Sequence, residues 1–191
     1  MGSEKIEKYI LNVPYYSQYL DVEDEKWKSR ACGVVCLKMV MDYCNRYTPP
    51  LIALIDGVAA RGGFGPSGWI HDVVIRTARE YNFDAYRKEH DSIEEGIKEI
   101  MEFLIKKTPV IISAVKNFSE ADKFHMVVLV GFKKEEDELD GFYYHDPDSQ
   151  NREEGKNKLV PIEIFKKHWR KMSIYVKEPE INFSSPLFHR R

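Results

Sequence analysis

Apolar positions follow a helical period in the first half of this chain and a strand-like one in the second. From 32 to 46, Val35, Leu37, Met39, Val40 and Tyr43 form a broad apolar face that predicts a helix. Pro49-Pro50 stops it, and 51–60 reads as a second, short helix. Helical spacing returns from Trp69 to Tyr81 through Ile70, Val73, Val74, Thr77 and Ala78. It returns again over 92–107, where Ile93, Ile97, Ile100, Met101 and Leu104 face inward. The runs 109–115 and 124–132 are nearly all apolar, as central strands covered on both faces are. A third strand, 140–146, follows across the charged segment Lys133–Asp140. Shorter strands are predicted at 9–14 (closed by Pro14), 83–86 and 172–176, with a short helix at 161–168. A polar connection fills 15–30, and Arg61–Gly68 is a glycine-rich loop. Helices first and strands later is α+β organisation.

The chain has 191 residues, enough for a single domain across 1–191 with its core at about 11–177. With 43% hydrophobic residues, 31% charged residues and a net charge of −2, no global field calls for nucleic acid or an anionic membrane. The basic run Lys166-Lys167-His168-Trp169-Arg170-Lys171 reads as a solvated face. No apolar run approaches the roughly 20 residues of a membrane span. The start Met1-Gly2-Ser3-Glu4-Lys5 has no signal-like apolar stretch, so a cytoplasmic location is expected. Three cysteines without a Cys-x-x-Cys pair suggest neither a disulfide scaffold nor a metal centre, and no cofactor is expected. The glycine-rich loop lacks the Gly-Lys-Ser/Thr ending of a phosphate loop.

Chemistry enters with Cys32. A thiol in the first helical turn faces unpaired N–H groups and the positive end of the helix dipole, and both favour the thiolate. His125 opens an apolar strand and Asp146 ends another. A four-residue loop, Lys134–Asp137, would set His125 directly opposite Asp146, about 5 Å away on one face. A one-residue slip would instead place His145 opposite His125. Cysteine, imidazole and an orienting carboxylate are the parts of a thiol nucleophile, and the Cys32 N–H with the Gln18 side-chain amide would hold an oxyanion. Cys36, one turn deeper among apolar neighbours, reads as core. His71, His90 and His168 read as surface residues. Trp27, Phe64 and Trp69 are candidate groove aromatics, which packing explains equally well.

These segments resemble those of the C39-type peptidases, a papain-like group, and especially their free-standing C39-like branch. Val13-Pro14-Tyr15-Tyr16-Ser17-Gln18 resembles the branch's opening motif, and Cys32-Gly33-Val34-Val35-Cys36-Leu37-Lys38-Met39-Val40 its nucleophile motif. Lys107-Thr108-Pro109-Val110-Ile111, Phe124–Phe132 and Tyr144-His145-Asp146-Pro147 resemble the strand before the histidine, the histidine strand and the acid strand. The resemblance implies a papain-like fold and a peptidase acting on a peptide or protein through Cys32, His125 and Asp146, with Gln18 in the oxyanion hole. Bacteriocin-processing relatives are fused to a transporter and cut a leader peptide after two small residues; this sequence has no transporter segment. Lys123-Phe124 replaces the glycine usual before the family histidine, so Phe124 would stand at the edge of the site. The same residues also suit acyl transfer to an amine or thiol, and the same groove suits a non-catalytic peptide-binding module.

Overall fold

A computed structural model describes residues 6–44, 47–120 and 123–179. In chain order its elements are β1 (Ile6–Ile10), α1 (Cys32–Tyr43), α2 (Leu51–Ala60), β2 (Phe64–Gly65), β3 (Gly68–Trp69), α3 (His71–Glu80), β4 (Asp84–Glu89) and α4 (Ile93–Ile105). Then come β5 (Val110–Val115), β6 (Phe124–Glu135), β7 (Glu138–His145), α5 (Arg152–Gly155), β8 (Lys158–Pro161), α6 (Ile162–His168) and β9 (Trp169–Lys177). One antiparallel sheet runs β4-β9-β5-β6-β7-β8, with β1 added to the far half of β6. This is the expected α+β architecture, with helices packed on one antiparallel sheet.

Helix α1 lies against the sheet because two apolar surfaces meet there. Val34, Val35, Cys36, Leu37, Met39, Val40 and Met41 are all fully buried, as are Val110, Ile111, Ile112, Val128, Leu129 and Val130 of β5 and β6. Covered on one side by α1, these strands carry the unbroken apolar runs seen in the sequence. No helix among the described residues is long and apolar enough to cross a membrane.

The β6–β7 hairpin differs from expectation. Its strands continue to Glu135 and restart at Glu138, leaving a two-residue turn at Glu136 and Asp137, both at positive φ. That is the geometry matching strand twist in a tight hairpin. Two register shifts follow: Val128 faces His145, and His125 does not face Asp146 across the ladder. His125 instead pairs with Ala114 of β5. The strand expected at 9–14 ends at Ile10, and β9 begins earlier than expected, at Trp169. Helix α5 and strand β8 were not legible, because each is only four residues long. The glycine-rich loop contains the small β2–β3 hairpin.

Gly131 marks the crossing of three strands, with partners Ile10 on one side and Tyr143 on the other. A Cβ there would overlap the Tyr9 carbonyl oxygen and come within 2.8 Å of the Ile10 Cα, so backbone would have to move. Gly131→Ala should therefore cost about 2 kcal/mol of stability. An unchanged urea midpoint would show that β1 yields freely.

Candidate active site

Cys32 is the first residue of α1, and Ala31 before it provides no side-chain cap. The first-turn N–H groups are thus left to serve the sulfur. The Cys32 thiol stands among the His125 ring and the backbone of Met126 and Gly33, all of which favour the thiolate. The His125 Nε2 lies 2.8 Å from Asp146 Oδ1, leaving Nδ1 as the nitrogen for the sulfur. Both the imidazole and the carboxylate are buried.

Burial alone would raise the Cys32 pKa, but the hydrogen bond and charge of His125 outweigh it and hold the thiol below its ordinary value. Burial likewise opposes charge on His125, yet Asp146 and Cys32 together raise its pKa to about 10. Both shifts favour the proton on the ring over the proton on the sulfur. Burial would raise Asp146 too; His125 first, then Lys158, hold it well below the usual carboxylate range. Its Oδ1 also accepts from the Asp148 N–H at 3.0 Å, and its Oδ2 from Lys158 Nζ at 3.1 Å.

The expected His125–Asp146 contact is thus present, but by a different route from cross-strand facing. Strand β7 ends at His145, and the chain turns so that Asp146 reaches the ring from beyond the ladder. His145 points elsewhere. Its Nε2 bonds the Val13 carbonyl at 3.1 Å and its Nδ1 accepts from the Asn157 N–H at 3.1 Å, which fixes one neutral tautomer. Burial, above all, pushes its pKa down to about 4.

Gln18 is 1% exposed, and its backbone N–H donates to the Pro147 carbonyl at 2.8 Å. Its side-chain Nε2 donates to Asp148 Oδ1, while its Oε1 is buried without a partner. A carboxylate only accepts, so Asp148 fixes which end of the amide is the donor. Asp148 is held in turn by Lys116 and by the Tyr19 hydroxyl, the latter at 3.1 Å. The Tyr15 hydroxyl donates to the Asp146 carbonyl at 2.9 Å, tying the two loops together once more. Asp148, Lys116 and Lys158 escaped the sequence reading. Only the closeness of Asp148 to Asp146 hinted at one of them.

Cys36 is fully buried as expected, with its sulfur 3.3 Å from the Met126 carbonyl. Burial, with Cys32 and Asp146 nearby, drives its pKa well above the ordinary value. Trp27, Phe64 and Trp69 come together, with ring centroids 5.0 to 5.3 Å apart. Both tryptophans are buried and Phe64 is half-buried. Phe124 stands apart from them and is 61% exposed.

His90 and His168 are buried rather than surface residues, while His71 is half-buried. Helical spacing missed His90 because it lies just beyond β4, beneath Trp169 (ring centroids 5.3 Å apart). His90, Glu95 and Glu99 offer ligand atoms within 4.8 Å of one another. The Lys88 ammonium already joins the two carboxylates, so the cluster has its own cation.

The chain superposes on several peptidase domains of known structure. A putative C39-like peptidase from Bacillus anthracis superposes with a TM-score of 0.67 at 21% identity, over 91% of this chain and 98% of that one. A double glycine motif protease from an AMS/PCAT transporter, solved with a leader peptide, gives 0.61 at 21% identity, over 93% and 100%. The peptidase domain of Streptococcus ComA, a bifunctional ABC transporter involved in quorum sensing, gives 0.59 at 16%, over 90% and 99%. No curated protein matches the sequence. Residues 10–176 match the Peptidase_C39 like family, and the chain belongs to that family of cysteine peptidases.

Proposed function

We propose that the protein hydrolyses a peptide or related amide bond with Cys32 as nucleophile, His125 as acid and base, Asp146 as orienting carboxylate and Gln18 as oxyanion donor. The observation that carries this reading is the His125 ring held between the Asp146 carboxylate and the Cys32 thiol. Family membership and the leader peptide bound to the AMS/PCAT relative support a peptide as substrate.

The Cys32 thiolate attacks the carbonyl carbon, forming a C–S bond and an oxyanion. The Cys32 N–H and one N–H of the Gln18 amide receive that oxyanion. As the intermediate collapses, the C–N bond breaks and the leaving nitrogen takes the His125 proton. The ring, now neutral, removes a proton from water, which attacks the thioester. The C–S bond then breaks, releasing the acid, and the proton on His125 restores the starting ion pair. The ring keeps the Asp146 bond throughout, which fixes its tautomer. Product analysis of a cleaved peptide in the presence of a primary amine tests the hydrolytic step. Free acid is expected, and conjugate as the main product would make the protein an acyltransferase.

The oxyanion donor can be tested apart from the nucleophile. Acylation by a p-nitrophenyl ester should slow about hundredfold in Gln18→Ala, and about tenfold in Asp148→Asn, where the amide loses its orienting charge. Alkylation of Cys32 by iodoacetamide forms no oxyanion and should change less than about twofold. Equal losses in both reactions would mean that these residues only support the fold.

A further inference from the structure

Arg170 and Lys171 sit where β9 departs from its ladder with β5. Ser113 pairs with Met172 and Ala114 with Trp169, so the two basic residues between them are looped out. The Trp169 indole N–H closes this loop by donating to the Met172 carbonyl at 3.1 Å, and Lys171 takes a φ of 54°. Bulges beside functional sites re-aim side chains. This one lies at the same end of the sheet as His125, because Ala114 is the strand partner of both His125 and Trp169.

The Arg170 guanidinium lies 3.6 Å over the Phe124 ring and donates to Ser113 Oγ at 3.4 Å. The Lys171 ammonium donates to the Asp91 carbonyl at 3.1 Å. Among the described residues no carboxylate pairs with either. They border a cavity of about 350 Å³ whose walls also include His71, Arg87, Glu89 and His90. Three permanent cations there face one wall carboxylate. Arg87 lies 3.4 Å from Asp72 and 3.7 Å from Glu89, but both acids are largely exposed, so these pairs are weak. His71 reports the same field: burial first, then Arg87 and Arg170, lower its pKa.

We propose that this cavity is a subsite for a carboxylate of the peptide substrate, either an acidic side chain or the C-terminal group, gripped by Arg170 and Arg87. Guanidinium forks match carboxylates in two-point geometry, and stacking on Phe124 pre-orients one of them. Calling the ligand a substrate rests on the hydrolase reading; the binding itself does not.

The test has two arms. Titrating N-acetyl-glutamate amide into the Cys32→Ala protein should give saturable shifts of the Arg170 and Arg87 side-chain N–H signals. N-acetyl-glutamine amide should give none. In the second arm, active protein cleaves fluorogenic peptide libraries with Glu or Gln fixed at each position, each with a free or amidated C-terminus. A preference of about tenfold for Glu at one position identifies a side chain, and a preference for the free terminus identifies the end of the peptide. Arg170→Ala should reduce the preference below about twofold. The absence of saturable shifts, or a charge preference that survives Arg170→Ala, overturns the subsite. Saturable shifts together with an uncut library would uphold the subsite and defeat the hydrolase reading.

Discussion

Cys32→Ala is expected to abolish peptide hydrolysis, by about 10⁴-fold or more, while leaving the fold intact. The loss is large because every later group in the mechanism acts on a bond made by this sulfur. The Gln18 amide needs an oxyanion to receive, and His125 needs a thioester to deliver water to. The fold should persist because the change removes a single sulfur atom, and alanine suits the first turn of α1. The His125–Asp146 bond does not involve the sulfur and should also remain. Hydrolysis of a susceptible peptide by wild type and variant, with thermal unfolding of both, checks this. Activity that persists in the variant would remove Cys32 from the mechanism.

Replacing His125 should have the next largest effect, and alkylation shows it without a known substrate. In the wild type, iodoacetamide should modify Cys32 in preference to Cys36 below pH 9, because the Cys32 thiol is lowered while that of Cys36 is raised. In His125→Ala only burial and the backbone bonds act on the sulfur, and burial is the largest of the influences on it. The thiol should then titrate at or above its ordinary value of 9.0. At pH 7 such a thiol is only about 1% ionised. Labelling should slow roughly 10- to 100-fold, the smaller figure reflecting the lower intrinsic reactivity of a low-pKa thiolate. An unchanged rate would mean that α1 and the backbone activate the sulfur unaided.

The pH profile of turnover follows from the same groups. On the acid side, activity falls as the thiolate is protonated. On the alkaline side, it falls as His125 loses its proton near pH 10, since no acid then remains for the leaving amine. Alkylation needs no such acid and should continue through that limb. Asp146 works in the other direction on stability. Its folded pKa lies below the ordinary 3.8, so its contribution is complete above that value and is lost as the pH falls further.

Much of the site could be read in the chain because its parts lie on long, strongly patterned elements. The apolar faces of α1 and β6 announced themselves by period, and they carry Cys32 and His125 at their first and second residues. The hairpin register could not be read this way. A pair of bulges and a turn made by Glu136 and Asp137, without glycine, leave no local signal, so the direct facing of His125 and Asp146 was wrong in detail. The burial of His90 was missed for a related reason. The Nε2 of His90 finds Ser173, far along the chain, and only the assembled sheet brings the two near. The basic run 166–171 shows the limit most clearly. Lys166 and Lys167 pair with surface acids, His168 and Trp169 are buried, and Arg170 and Lys171 stand in a bulge.

The loop stitching has a temporal consequence during synthesis. Cys32 leaves the ribosome long before β6 and the loop that carries Asp146 and Asp148. Until those segments dock, the thiol has no imidazolium beside it, and the Gln18 amide has no carboxylate to turn it. A nascent chain therefore presents an ordinary, sluggish thiol, and activation coincides with closure of the sheet. The newly made polypeptide is its own safety catch: it arms only when the loop after β7 reaches back to the start of the chain.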